Sequence, residues 1–241
     1  MKQYTLNRII FLLTMQLLLV VVQSAGQQII PRIGYVISTT TNKPTSPTGD
    51  INPRQSFSFG LGFAWKFKST YKFQIEADYV SKGHQFYSNK VTDYNPDIRV
   101  IYESNYKHNY LVVPLVVNKY FGAGKLKPYL IGGGYIGFGL GGRFYGESGI
   151  YRGTFADSYQ QYDGSIYYGP DPASINQNNR YYSHRIDLGF KLGIGLLIFD
   201  KVALDVQYDI GQVNVDEGQG DYKNRSLQFG LTVPLQLGTK H

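Results

Sequence analysis

The chain has 241 residues, a formal net charge of +7 and no cysteine. It therefore has no disulfide framework, no lipid-modified thiol and no thiolate chemistry. Its 24 basic and 17 acidic residues are interspersed, unlike the clustered basic face of a nucleic-acid binder, and a mean hydropathy of −0.26 suits a barrel with a polar lumen better than a bundle of apolar helices.

Lys2 and Arg8 precede an apolar run from Ile9 to Val22, broken by Thr14 and Gln16 and followed by small Ser24, Ala25 and Gly26. This is the pattern of a secretory signal peptide over residues 1–26. The run is too short to cross a bilayer comfortably, since a spanning helix needs roughly 20 apolar residues. The expected mature domain is 27–241, and the leader takes two positive charges with it.

Eight stretches then alternate apolar and polar residues, the signature of β-strands with two different faces. The first runs from Pro31 to Ser38 and is followed by a proline- and threonine-rich loop to Gln55. The second, Ser56 to Phe67, places Phe57, Phe59, Leu61, Phe63, Trp65 and Phe67 on one side. A tight turn leads to the third, Tyr71 to Lys82, with Glu76 and Asp78 on its polar side, and a long polar loop is expected over 83–106. The fourth (Lys107 to Tyr120) and fifth (Leu126 to Leu140) are joined by a short turn. A tyrosine-rich insertion over 141–183 is read as the longest loop. The sixth strand (His184 to Ile198), seventh (Val202 to Val213) and eighth (Asn224 to Leu237) complete the set, with Asp187, Lys191, Asp205 and Asp209 opposite their apolar residues.

Connections that alternate long and short around an even number of strands put both chain ends and all short turns on one side. The expected fold is an all-β, eight-stranded antiparallel up-and-down transmembrane β-barrel in the cell outer membrane. It must close, because an open edge in lipid leaves backbone groups unpaired. The charged residues must point inward, and at eight strands side chains fill the lumen.

His108 to Leu115 (HNYLVVPL), Lys127 to Ile131 (KPYLI) with Gly132 to Gly134, the opening Pro31-Arg32-Ile33-Gly34, and Tyr79-Val80-Ser81-Lys82-Gly83 resemble the PorT-type outer-membrane β-barrel family of Gram-negative bacteria. The resemblance spans the mature chain and implies location and fold rather than an activity. It also implies delivery by the barrel-assembly machinery, for which relatives commonly finish on an aromatic residue; this chain finishes Leu237-Gly238-Thr239-Lys240-His241. Val112 stands where relatives often carry an acidic residue, which implies one lumen ion pair fewer.

Candidate chemistry is sparse. Gly132, Gly134 and Gly137 match a dinucleotide-binding spacing, but more glycines follow instead of a helix, so they read as sheet-bending residues. His84, His108 and His184 fall at loop-side strand ends; a rim enzyme would use His184 with Asp187 or Ser183, against the plainer reading of solvated histidines. Asp93, Asp97, Asp157, Asp163 and Asp171 lack calcium-loop spacing. No metal or cofactor is called for. Tyr151, Tyr159, Tyr162, Tyr167 and Tyr168, with Tyr145, Tyr181 and Tyr182 nearby, are the candidate binding residues, since tyrosine among Gly, Ser and Asn gives contact area at low entropic cost. The alternative is an aromatic girdle whose loop packs on itself. The expected function is structural or surface binding without catalysis, by a monomer surrounded by outer-membrane lipid and engaging an envelope or extracellular protein or glycan; a lipid- or peptide-modifying rim enzyme is the competing reading.

Overall fold

The computed structural model describes residues 27–41, 49–92, 95–169, 179–182, 184–215 and 222–236. The proposed leader and the final residues lie outside that range.

Eight antiparallel strands form a closed ring: β1 (Gln27–Thr40), β2 (Gly49–Lys68), β3 (Tyr71–Thr92), β4 (Asn95–Tyr120), β5 (Leu126–Arg152), β8 (Ile186–Ile198), β9 (Val202–Gly211) and β10 (Asn224–Thr232). Pairing of β4 with β5 and of β1 with β10 leaves no open edge at the level of the ring. The outward residues are the apolar ones: Phe57, Leu61, Leu115, Leu130, Leu192, Ile194, Leu204 and Phe229 are all exposed. The opposite face buries Glu76, Asp78, Asp187, Lys191, Asp205 and Asp209. The protein is thus inverted relative to a soluble sandwich, as the strand alternation requires.

All three short turns sit at one end. The tightest joins β8 to β9, where Phe199 and Asp200 both take positive φ (53° and 59°), as a two-residue hairpin demands. The eighth strand is broken. Pro234 has no N–H to give to the ladder, so β10 stops at Thr232 and the short β11 (Leu235–Gln236) resumes pairing with Gln28 and Ile29 of β1.

The segments expected as loops over 83–106 and 141–183 are largely strand. β3, β4 and β5 continue far past the apolar band, and β6 (Phe155–Tyr168) adds to the upper edge of β5, with β7 (Arg180–Tyr182) parallel to it. With the upper end of β2 this makes a six-stranded plate standing on one side of the barrel mouth. The physical reason is that Tyr, Val, Ile, Phe and Thr recur through these segments and favour extended backbone even where no hydrocarbon contrast marks the two faces. A register shift where Tyr110 pairs with Gly139 but Asn109 pairs with Gly141 bulges β5 at Leu140, and Gly141 accepts a φ of 116° there.

Glycines let the lumen close around its charges. A Cβ on Gly230 would collide with the guanidinium of Arg32 and the carboxylate of Asp205. Gly230→Val is expected to cost about 1–3 kcal/mol by overpacking, measurable as a lowered urea midpoint in detergent, whereas the open position Gly124 should accept valine without such a drop.

Candidate functional site

Three layers stack along the barrel axis. Nearest the turn end, Arg32 from β1 grips Asp205 from β9 through two bonds, Nη1 to Oδ2 at 2.8 Å and Nη2 to Oδ1 at 2.5 Å. Glu76 lies 3.9 Å from the same guanidinium, and Tyr129 donates its hydroxyl to Asp205. Higher up, Lys82 reaches Asp187 at 3.1 Å and Asp209 at 3.8 Å, while Lys191 bonds Asp209 at 2.8 Å. Asn224, Ser226 and Gln228 donate to the same two carboxylates. Buried charges persist only when paired and hydrogen-bonded, and these are. A void of about 20 Å³ beside Gln74, Asn118 and Asp205 has room for a single water.

Of the three cations of this network, Lys191 is expected from sequence as a lumen residue and Arg32 and Lys82 are not. The signal was available: Arg32 shares strand parity with Gly34, and Lys82 with Glu76 and Asp78. Val112 faces the lumen fully buried in an apolar cluster with Val36, Val80, Tyr110 and Tyr135, opposite Asp78 in register.

An aromatic stopper closes the other end of the lumen. Phe144, Ile166, Tyr182, Val215 and Tyr222 cluster there with Tyr106, Tyr162 and Tyr168 packed against them. His108 shares a hydrogen bond with the Tyr168 hydroxyl (3.1 Å) and His84 with that of Tyr222 (3.1 Å), and His84 stacks on Tyr106 at 4.8 Å. His84 and His108 are therefore buried, not solvated as a rim position suggests. His184 is exposed, but Asp187 is committed to Lys82 and Asn224 inside the lumen, and Ser183 lies outside the described residues. His184 and Asp187 are thus not brought together as a rim enzyme would need.

Above the stopper stands the plate. Register fixes its rungs: Gln85, Asn105, Tyr145 and Asp163 lie side by side on β3, β4, β5 and β6. The next rung outward holds Tyr87, Glu103, Glu147 and Gln161. Burial alternates with these positions, Phe144, Ser104 and Ile166 being buried and Tyr145, Glu103 and Asp163 exposed, so both rungs face away from the stopper. They line a groove of about 600 Å³. Carboxylates that only accept, carboxamides that donate and accept, and tyrosines with an apolar face form a set suited to polyhydroxylated ligands.

The candidate tyrosines divide. Tyr159 and Tyr167 are exposed on the plate; Tyr159 donates to Glu147 at 2.6 Å, which raises its phenol pKa above the ordinary value, and Tyr167 stacks on Tyr181 at 5.4 Å. Tyr162 borders the groove and donates to the Glu103 carbonyl at 2.9 Å. Tyr151 is half-buried near the plate tip. Tyr168 points the other way, into the stopper. Asp157 and Asp163 pair with Arg152 and Arg143, Asp93 and Asp171 lie outside the described residues, and among the described residues no three acidic or histidine side chains converge as a metal site would need.

A family model described as "Outer membrane protein beta-barrel domain" matches residues 23–217. The chain belongs to this outer-membrane β-barrel family. Its members reside in the outer membrane, and by the rule for such barrels the three short turns of this outer-membrane barrel face the periplasm while the plate stands outside the cell. Solved structures similar to it include the attachment invasion locus protein Ail of Yersinia pestis (10% identity, TM-score 0.37, covering 88% of this chain and 100% of that one). Neisserial surface protein A matches at 12% identity and TM-score 0.36, covering 88% and 99% respectively. OprG of Pseudomonas aeruginosa matches at 11% and 0.37, covering 90% and 98%. A comparison with curated proteins returns no match.

Proposed function

We propose that this outer-membrane barrel is a non-enzymatic, monomeric surface-binding element whose ring anchors and whose plate binds. What carries the reading is the run of β4 and β5 from the turn end of the barrel to the plate tip, which sets Tyr145 on a rigid strand and gives β6, the strand of Tyr159 and Tyr167, an edge to pair with instead of leaving a free loop. Pre-set aromatic side chains lose little entropy on binding. The filled lumen supports the same view, since it offers no wide passage to a solute. The finer PorT-type assignment draws on the Arg32 and Lys82 motifs, whose cations sit in the lumen network.

The test uses purified full-length protein in nanodiscs against an array of bacterial and animal polysaccharides and matrix proteins. Wild type is expected to bind one class of probe, and the triple variant Tyr145→Ala, Tyr159→Ala, Tyr167→Ala to lose at least about tenfold in affinity with unchanged heat-modifiable mobility. Undiminished binding by the variant, or no probe bound by wild type, overturns the reading.

A further inference from the structure

The outward residues of β4 and β5 form two ladders in register, and their chemistry changes with height. Leu111 and Phe138 sit opposite each other, and with Leu140 they are the last exposed apolar residues before the plate. The next outward rung of charged residues is Lys107 opposite Arg143, flanked by Gly83 on β3 and Ser165 on β6. Above it come Asn105 with Tyr145, then Glu103 with Glu147, the floor of the groove.

Two cations directly opposite in an antiparallel pair repel each other. Asp163 neutralises one through its 2.6 Å bond to Arg143 Nη2, yet a guanidinium has five N–H donors and this bond uses one. Gly83 and Ser165 flank the rung, and a third cation, Arg54 of β2, packs over Gly83 and donates to Ser81 Oγ and Asn105 Oδ1. The rung thus carries more positive charge than Asp163 offsets.

Height says which anion. Lys107 is four residues beyond Leu111, about 13 Å along a strand rising roughly 3.3 Å per residue, or about 10 Å above the hydrocarbon once a tilt of about 40° is allowed for. The headgroup layer of one leaflet is about 5–8 Å deep, so the backbone at Lys107 and Arg143 stands just above it, and side chains of this length span the remaining distance to the phosphates. The Glu103–Glu147 rung is as far above again, at the level of sugars attached to those phosphates.

We propose that this tier binds a phosphorylated glycolipid of the surrounding outer leaflet, its phosphate on Lys107 and Arg143 and its sugar in the groove of Asn105, Tyr145 and Glu103. The inference rests on the reading of the plate as a binding surface and names the ligand of the part nearest the membrane. Arginine and lysine supply charge-assisted bonds to the phosphate; the amide and carboxylate side chains bond the sugar hydroxyls, and the Tyr145 ring, 54% exposed, covers a sugar face.

The experiment measures lipid retained by the full protein in nanodiscs doped with deep-rough lipopolysaccharide, with the same glycolipid after enzymatic dephosphorylation, or with phosphatidylglycerol alone. Wild type is expected to retain the phosphorylated form at least about tenfold better than either control. The double variant Lys107→Ala, Arg143→Ala should lose that preference, and Asn105→Ala with Tyr145→Ala should lower retention of both glycolipids equally. Equal retention of all three lipids by wild type, or a preference that survives the double variant, overturns the proposal. Wild-type binding to the array probes tells the two readings apart: array binding that depends on Tyr159 and Tyr167 without glycolipid preference defeats this proposal alone, whereas glycolipid preference without any array ligand defeats only the broader one.

Discussion

Arg32→Ala should be the most damaging single substitution inside the barrel, lowering unfolding free energy by about 3–5 kcal/mol, the range seen when one partner of a buried ion pair is removed. The guanidinium is the bidentate partner of Asp205 and, among the described residues, the only cation within 4 Å of Glu76, so its loss strands two buried carboxylates at once. A urea titration in detergent, followed by heat-modifiable gel mobility, reads the effect. Arg32→Met combined with Asp205→Leu should recover part of the loss, because an apolar pair of similar volume replaces a pair whose charges were costly to bury. If Arg32→Ala unfolds at the wild-type midpoint, the lumen is wetter than the packing shows.

Leu192→Arg should cost about 2–4 kcal/mol, the price of a basic residue on the lipid face near the midplane. Leu192 lies at the middle of β8, 53% exposed, and pairs with Gly132 and Tyr208 on either side. The same change at Tyr159, 51% exposed on the plate, should leave stability within about 0.5 kcal/mol, as for surface positions generally. Folding yield into lipid vesicles checks both. Exposure is nearly equal at the two positions, so only the surrounding medium separates the outcomes; equal tolerance would place the hydrocarbon boundary elsewhere.

The ring was legible in the sequence because lipid imposes a sharp rule. Outward apolar residues alternate with inward Glu76, Asp78, Asp187 and Asp205, and no other face assignment lets those carboxylates escape hydrocarbon. The plate was not legible by that rule. From Gly83 to Tyr106 and from Gly141 onward both faces meet water or aromatic neighbours, so hydrophobic contrast fades while strand pairing continues. The bulge at Leu140 also shifts the alternation by one residue, so that Phe144 is buried and Tyr145 exposed, the reverse of what counting by twos from Leu126 predicts. His84 and His108 read as rim residues for the same reason: sequence places them at strand ends, and only the returning β6, β7 and Tyr222 cover them. Alternation alone predicts an eighth strand continuous through Pro234, where the missing N–H dictates a break that a face-by-face pattern does not register.

The pairing of β3 with β4 runs from Tyr71 opposite Lys119 to Thr92 opposite Asn95, with a single irregularity at its far end apart from a gap beside Ile75 and Asp78. Ladder bonds lie perpendicular to the strands, so a pull on the tip along the strand direction draws β3 and β4 together and loads their outer ladders, to β2 and β5, side by side in shear. Such an arrangement resists mechanical extraction far better than a tether that peels open one bond at a time. A load applied at the plate tip would be shared along the whole length of the hairpin.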